Sequence, residues 1–260
     1  MKLLLSVVDA AEARAAAAAG ADIVDVKNPA EGSLGAPAPA VIVDVKNPAE
    51  GSLGAPSPAV IAGVRAAVPA ELPVSAAIGD MPDLPGTAAL AALGAARSGA
   101  TFVKVGLWGV STEDDAVALL RTVRDGIASV PDTVVVAAAY ADARRVAHAP
   151  LPPELLPRVA RAAGAGACLL DTAVKDGRGL LDWLSPDALA ALVADAHAAG
   201  LQVALAGALR AEDLPVVRDT GADIAGVRSA ACRDGRRTGH LDAERVRALR
   251  GYATAGDSMS

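Results

Sequence analysis

The chain alternates two textures. Short runs of β-branched and aliphatic residues fall at 2–7, 23–27, 73–78, 101–107, 133–138, 167–171, 202–206 and 224–228. Alanine-rich stretches of about 10 to 18 residues, with helical periodicity, separate most of them. Gly20, Gly99 and Gly200 each follow such a stretch and precede a strand, where a helix C-cap glycine belongs. Asp9 and Glu12 stand at the spacing of an Asp/Glu capping box for the first helix. Eight strands alternating with helices indicate parallel β/α architecture. Eight units of roughly 30 residues predict a single (β/α)8 TIM barrel over residues 1–252, followed by a flexible tail at 253–260. A doubly wound open sheet is the structural alternative. Its nucleotide-binding versions are weakened because no GxGxxG follows strand one and no Walker loop occurs.

One feature breaks the regularity. Residues 24–42 read VDVKNPAEGSLGAPAPAVI and residues 43–61 read VDVKNPAEGSLGAPSPAVI, a tandem duplication that differs only at Ala38 against Ser57. Two copies are too few for a solenoid. A strand-plus-loop element therefore occurs twice where a barrel has one slot, around strand 2. If the first copy is strand 2, the second swells the loop at the C-terminal face. If the second copy is strand 2, the extra residues lie between helix 1 and the strand, on the opposite face. Ser57-Pro58 forms a good N-cap and N1 pair for the next helix, but the short connection from helix 1 favours the first copy.

Composition narrows the class. Hydrophobic residues make up 53% of the 260 and aromatics only 2%, so the core must be built from Ala, Val, Leu and Ile. A net charge of −6 argues against a nucleic-acid or anionic-membrane partner. No run of 18 apolar residues occurs, so no membrane span is expected. The apolar start of the chain ends at Asp9 without a cleavage-site pattern and reads as a first strand rather than a signal peptide. Cys168 and Cys232 are too few and too scattered for a disulfide framework or a zinc site, which points to the cytoplasm.

The lysines carry the chemistry. Only five of the 24 basic residues are lysine: Lys2, Lys27, Lys46, Lys104 and Lys175. A lysine amine can lose its proton and attack a carbonyl, whereas arginine stays charged. Lys27 ends the second strand run, Lys46 takes the same place in the duplicate, and Lys104 and Lys175 lie at or just past the ends of two others. In a β/α barrel these C-terminal strand ends surround one active site. Strand alternation puts Asp25 and Lys27 on one side and Val24 and Val26 on the other. Asp25 (or Asp44) and Asp171 are strand-borne carboxylates able to orient a lysine or move a proton. Asp80, at the end of the third strand run, either faces the pocket or starts a turn.

A phosphate grip is expected late in the chain, from Gly207 and Ala208 after strand seven and Gly226, Arg228 and Ser229 at the end of strand eight. Barrels often bind phosphate there through backbone N–H groups and a short helix N-terminus. His148, His197 and His240 have no partner at metal spacing, so no metal is expected. Cys168 reads as a small core residue, and Trp108 as a pocket wall or a rim contact. Ser33 and Ser52 have no histidine placed to activate them.

The segment Gly20-Ala-Asp-Ile-Val-Asp-Val-Lys-Asn-Pro-Ala-Glu-Gly-Ser-Leu-Gly35 resembles the (5-formylfuran-3-yl)methyl phosphate synthases, also called 4-(hydroxymethyl)-2-furancarboxaldehyde-phosphate synthases. Further matching segments are 74–80, Pro85-Gly-Thr87 with Ala92-Leu-Gly94, 102–107, Leu170-Asp171 with Lys175-Asp-Gly177, and 226–228, so the resemblance spans nearly the whole chain. The DVKNPxEGSLG string is highly specific. The duplication is the departure, since the family has the string once. The resemblance implies an aldolase-like barrel lyase that joins two molecules of glyceraldehyde 3-phosphate into a phosphorylated furan aldehyde for methanofuran-type cofactor biosynthesis, in one-carbon metabolism. It implies a small phosphorylated triose as substrate, no metal or other cofactor, and a homo-oligomer. By the same resemblance Lys27 is the Schiff-base lysine and Lys104 the proton acceptor, assisted by Asp25, Asp171 and Lys175; Lys46 and Asp44 are the duplicate-copy rivals of Lys27 and Asp25. The competing expectations are another class I aldolase or isomerase acting on a sugar phosphate, and a catalytically dead barrel disrupted by the duplication.

Overall fold

The computed structural model describes residues 1–7, 9–19, 24–26, 43–45, 53, 55–146, 150–236 and 239–254. Its strands are β1 (Lys2–Val7), β2 (Val24–Val26), β3 (Val43–Val45), β4 (Val74–Asp80), β5 (Phe102–Gly106), β6 (Val134–Tyr140), β7 (Ala167–Asp171), β8 (Gln202–Leu205) and β9 (Ile224–Val227). The helices are α1 (Ala10–Ala18), α2 (Pro58–Ala67), α3 (Pro85–Arg97), α4 (Glu113–Gly126), α5 (Leu156–Ala163), α6 (Pro186–Ala198), α7 (Leu214–Asp219) and α8 (Ala243–Thr254).

Among the described residues, all nine strands are parallel and form one sheet in the order β2-β1-β9-β8-β7-β6-β5-β4-β3. The two edge strands stand at opposite ends of that order, yet β2 touches β3 and β1 touches β3. The sheet therefore curls round on itself. Both copies of the duplicated segment contribute an edge strand, where one copy in the second slot was expected. The first copy pairs with β1 (Leu5 with Val24, Ser6 with Asp25). The second pairs with β4 (Val43 with Val74, Asp44 with Ser75). The reason is local equivalence. The two copies offer the same Val-Asp-Val strand, so each ladder is satisfied by whichever copy lies nearer along the chain.

Local signals explain the element ends. The Asp9 carboxylate accepts from the N–H groups of Ala11 and Glu12, both at 2.8 Å, and starts α1. Ser57 caps α2 with Pro58 at its first position. Gly99 and Gly200, just past α3 and α6, have φ of +100° and +75°, the left-handed conformation that glycine adopts without strain. At the C-terminus α8 runs to Thr254 and Ala253 is buried; residues 255–260, most of the expected tail, lie outside the described residues.

The core has two layers. The outer one packs alternate strand residues, among them Leu3, Leu5, Val103 and Val105, against helix residues such as Ile61, Leu119, Leu120 and Leu189. A leucine fully buried in this way contributes about 1.5–3 kcal/mol relative to an exposed one. The inner layer lies within the curl and contains Leu4, Ala77, Phe102, Val136, Ala138, Tyr140, Leu169, Ala204 and Ile224. Alanines at many inward positions leave the volume that the long side chains of Phe102 and Tyr140 fill. Leu53, from the second repeat copy, is buried in this inner layer.

Candidate active site

Period-two alternation decides what reaches the interior. On β5, Val103 and Val105 belong to the outer layer, and Phe102 and Lys104 to the inner face. Lys104 is buried, in register with Ala77 of β4 and Val136 of β6. On β7, Leu169 points inward and Asp171 follows on the same face, in register with Tyr140. Asp171 is buried and receives the Thr172 N–H at 2.8 Å. Lys175 folds back so that its Nζ lies 3.1 Å from Asp171 Oδ1 and 3.2 Å from Thr172 Oγ1, and it also donates to the Thr172 carbonyl. Asp171 and Lys175 thus meet just past the C-terminal end of β7, while Lys104 lies on the inner face of β5, in register with Val136 rather than with Tyr140.

The remaining expected residues divide. Asp25 stands in register with Ser6 and Asp44 with Ser75, so the two candidate carboxylate positions lie on opposite edges of the sheet. Lys27 and Lys46 lie outside the described residues. Gly207 (φ +112°) and Ala208 (φ +50°) form a left-handed pair after β8, and the Gly207 carbonyl accepts from Leu180 N–H at 2.8 Å. A Cβ on Gly207 would meet the Thr172 N at 3.1 Å, so glycine there lets the β7 and β8 loops touch. Gly226 lies within β9, and Ser229 begins the single short turn of helix at Ser229–Ala231.

Arg228, expected at the phosphate grip, makes a buried ion pair. Its Nη1 lies 2.6 Å from Glu12 Oε2 and 2.7 Å from the Ser6 carbonyl, and its Nη2 lies 2.7 Å from the Gly239 carbonyl. Both ion-pair partners are buried. The guanidinium therefore ties β9 to β1 and α1. Glu12 read in the sequence as part of a helix cap, and nothing local signals that its carboxylate reaches a residue more than 200 positions away.

Four groups that sequence reasoning missed or left open, Tyr140, Asp80, Trp108 and Asp142, complete the mouth. Tyr140, at the end of β6, donates its hydroxyl to Asp80, 2.8 and 2.9 Å from the two carboxylate oxygens. Burial and the carboxylates of Asp80, Asp171 and Asp142 hold its phenol well above the ordinary tyrosine range. Trp108 donates its backbone N–H to Asp80 Oδ1 at 2.9 Å, and its ring meets Tyr140 edge-on at 5.7 Å. Asp142, just past β6, accepts from the N–H groups of Ala173 (2.7 Å) and Val174 (2.9 Å), which sets the loop that carries Lys175. The rarity of aromatics was the one available signal for Tyr140. Beside it, a cavity of about 440 Å³ opens between the loops after β6 and β7, lined by Asp142, Arg144, Val146, Pro152, Glu154 and Trp183. Among the described residues no group of three or more His, Cys, Asp or Glu side chains is arranged to hold a metal ion.

A curled parallel sheet with ionisable groups gathered past its strand ends is the construction of a TIM-barrel-like enzyme. Solved structures agree on the fold. The chain is similar to 3-hexulose-6-phosphate synthase (TM-score 0.55, 19% identity, covering 96% of this chain and 99% of that one). It is also similar to phosphoribosylanthranilate isomerase from Thermotoga maritima (TM-score 0.58, 14% identity, 98% of each chain).

Sequence likeness is far more specific. The chain belongs to the 4-HFC-P synthase family, whose sequence model matches residues 3–43 and 39–250. The two spans meet inside the duplicated segment. The chain is 44% identical over 252 residues to the (5-formylfuran-3-yl)methyl phosphate synthase of Methanocaldococcus jannaschii, covering 96% of this chain and 98% of the relative. It is 45% identical over 250 residues to the protein of that name from Methanopyrus kandleri, covering 95% and 97%. With this membership the chain is an enzyme.

Proposed function

We propose that this enzyme is a (5-formylfuran-3-yl)methyl phosphate synthase, a carbon–oxygen lyase that condenses two molecules of glyceraldehyde 3-phosphate through a lysine Schiff base and serves methanofuran-type cofactor biosynthesis. The observation that supports the reading is the Asp171–Lys175 pair past the end of β7, with Lys104 buried on the inner face of β5, in a chain of this family. Lys27, or its duplicate Lys46, condenses with the carbonyl of one triose and releases water as the iminium forms. Lys104 moves the protons that interconvert iminium and enamine. Asp171 holds Lys175 as a charged pair beside the reacting carbons, and Asp25 or Asp44 orients the Schiff-base lysine. Addition to the second triose, ring closure, and loss of water and of one phosphate lead to the aromatic furan. Covalent attachment divides one hard carbon–carbon bond formation into easier steps.

The backbone of Gly207 and Ala208, with Gly226 and Ser229, is assigned to a substrate phosphate, since N–H groups at such a turn suit an anion. Arg228, tied to Glu12, is assigned to holding that loop. The active architecture in this reading is a closed eight-stranded barrel in which one repeat copy bridges β1 and β4. The pairing of β2 with β1 and of β3 with β4 supports it. Soluble triose substrates place the enzyme in the cytoplasm.

Borohydride reduction in the presence of glyceraldehyde 3-phosphate, followed by peptide mass mapping, tests the reading. A stable adduct on Lys27 or Lys46 together with a furan product is expected. A folded chain that gives neither would refute it.

A further inference from the structure

Three separate features of the fold bear on one carboxylate that the proposed mechanism has not used. The ladder between β4 and β5 shifts register between Ala77 and Asp80, and within the shift Gly79 has φ +92°. A register irregularity of this kind re-aims the side chain that follows it. Next, β5 carries glycine at 106, opposite Asp80. A Cβ there would lie 2.0 Å from Asp80 Oδ1 and 2.6 Å from its Cγ, so the Asp80 carboxylate occupies the room that the missing side chain leaves. Finally, that carboxylate receives the N–H of Trp108, just past β5, on one oxygen and reaches across to β6, where the Tyr140 hydroxyl donates to both. Tyr140 is fully buried, while Asp80 is only partly so, at the end of the sheet where Tyr140 stands in register with Asp171, the partner of Lys175.

A bulge, a gap and a buried phenol all serve to hold one partly exposed carboxylate at a set place in the mouth. We infer that Asp80 is a further acid–base group of the condensation and that Tyr140 is the residue that positions it. The inference rests on the function proposed above. The step assigned to Asp80 is the loss of water from the carbon–carbon-bonded adduct while it is still joined to lysine. The Asp80 carboxylate takes the proton from the carbon next to the iminium carbon. The electron pair of that C–H bond forms the new C=C bond, and the C–O bond one carbon further breaks, its pair leaving with the hydroxyl group. The Asp80 carboxylic acid gives its proton to the departing hydroxide, so that water is released and the carboxylate is restored. Tyr140 acts through Asp80: its hydroxyl fixes the carboxylate and its ring packs in the interior.

The experiment compares the full chain with Asp80→Asn and Tyr140→Phe. Each is given glyceraldehyde 3-phosphate, furan formation is followed, and lysine adducts are trapped with borohydride at intervals. Asp80→Asn keeps the size of the side chain and Tyr140→Phe keeps the ring, so thermal melting close to the parent is expected of both. Asp80→Asn is expected to lower kcat about 100-fold or more, the scale of a lost acid–base group. Its trapped adduct should be the joined six-carbon species that still carries the water. Tyr140→Phe is expected to lower kcat about tenfold with KM unchanged and to accumulate the same adduct. Parent-like turnover in a folded Asp80→Asn, or a slow variant without the water-bearing adduct, overturns the inference. If Asp80→Asn does not fold, Tyr140→Phe decides: an unchanged kcat overturns it. A parent chain that forms neither iminium nor furan defeats the proposed function and this inference together, whereas an active parent matched by both variants defeats this one alone.

Discussion

Replacing Arg228 by methionine keeps the volume of its stem and removes its charge. The pair it breaks is close and dry: Arg228 Nη1 lies 2.6 Å from Glu12 Oε2, and the two side chains are 3% and 10% exposed. At that distance and an effective dielectric near 20, the attraction is about 6 kcal/mol, much of which offsets the desolvation of both ions. The single variant keeps the desolvation cost of Glu12 and loses the attraction, and it strips a donor from the Ser6 and Gly239 carbonyls. The expected loss is about 3–5 kcal/mol. For a chain of this size that is roughly a 6–20 °C fall in Tm. Glu12→Met should cost a similar amount. The double variant Glu12→Met, Arg228→Met removes both ions and should return to within about 1 kcal/mol of the parent. Thermal and urea melts of the four proteins form a double-mutant cycle with a coupling of several kcal/mol. An Arg228→Met protein within about 1 kcal/mol of the parent, or a double variant as unstable as the sum of the singles, would refute the reasoning.

Burial pushes the Cys168 thiol up to about 12, so it should resist a disulfide reagent at pH 8 and react only when denaturant opens the chain; fast labelling in the native state would contradict its placement. In a Tyr252→Phe background Tyr140 is the one phenol, since the chain has two tyrosines. Its pKa in the fold lies above the value of 10.0 expected for the unfolded chain, so the folded state holds its proton more tightly. That stability is fully present below pH 10 and is lost as pH rises through the folded value. Phenolate absorbance should therefore appear together with loss of circular dichroism, and phenolate formation in a folded chain would count against the burial. Deleting residues 24–42 leaves a single copy that can pair with both β1 and β4 and keeps the Ser57 cap of α2; the variant should melt no lower than the parent and still form the lysine adduct, and an unfolded product would show that both copies are needed.

Much of the fold is legible along the chain because its determinants are local. The strand runs at 2–7 and 167–171 coincide with β1 and β7, and most others differ by a residue or two, since β-branched runs between alanine-rich helices report their own conformation. The caps at Asp9 and Ser57 and the left-handed glycines after α3 and α6 act within a few residues. The lysine scarcity likewise singles out Lys104 and Lys175 before any contact is known.

The rest depends on pairings that no window of sequence contains. Two identical Val-Asp-Val strands cannot be ranked by pattern, and only the ladders to β1 and β4 show that each copy takes one side of the slot. Arg228 looks like a phosphate ligand along the chain, yet the curl of the sheet brings Glu12 to it, and a buried ion pair forms only because the two ends of the chain meet. Asp80 reads equally as a turn residue. Its direction follows from a register shift against β5, a missing side chain at Gly106 and a phenol on β6. Sequence by itself thus determined the elements, their order and the residue types able to do chemistry, since backbone propensity and capping are short-range. The tertiary structure alone decided which of those groups meet, because hydrogen bonds and ion pairs depend on distances across strands that are far apart in the chain.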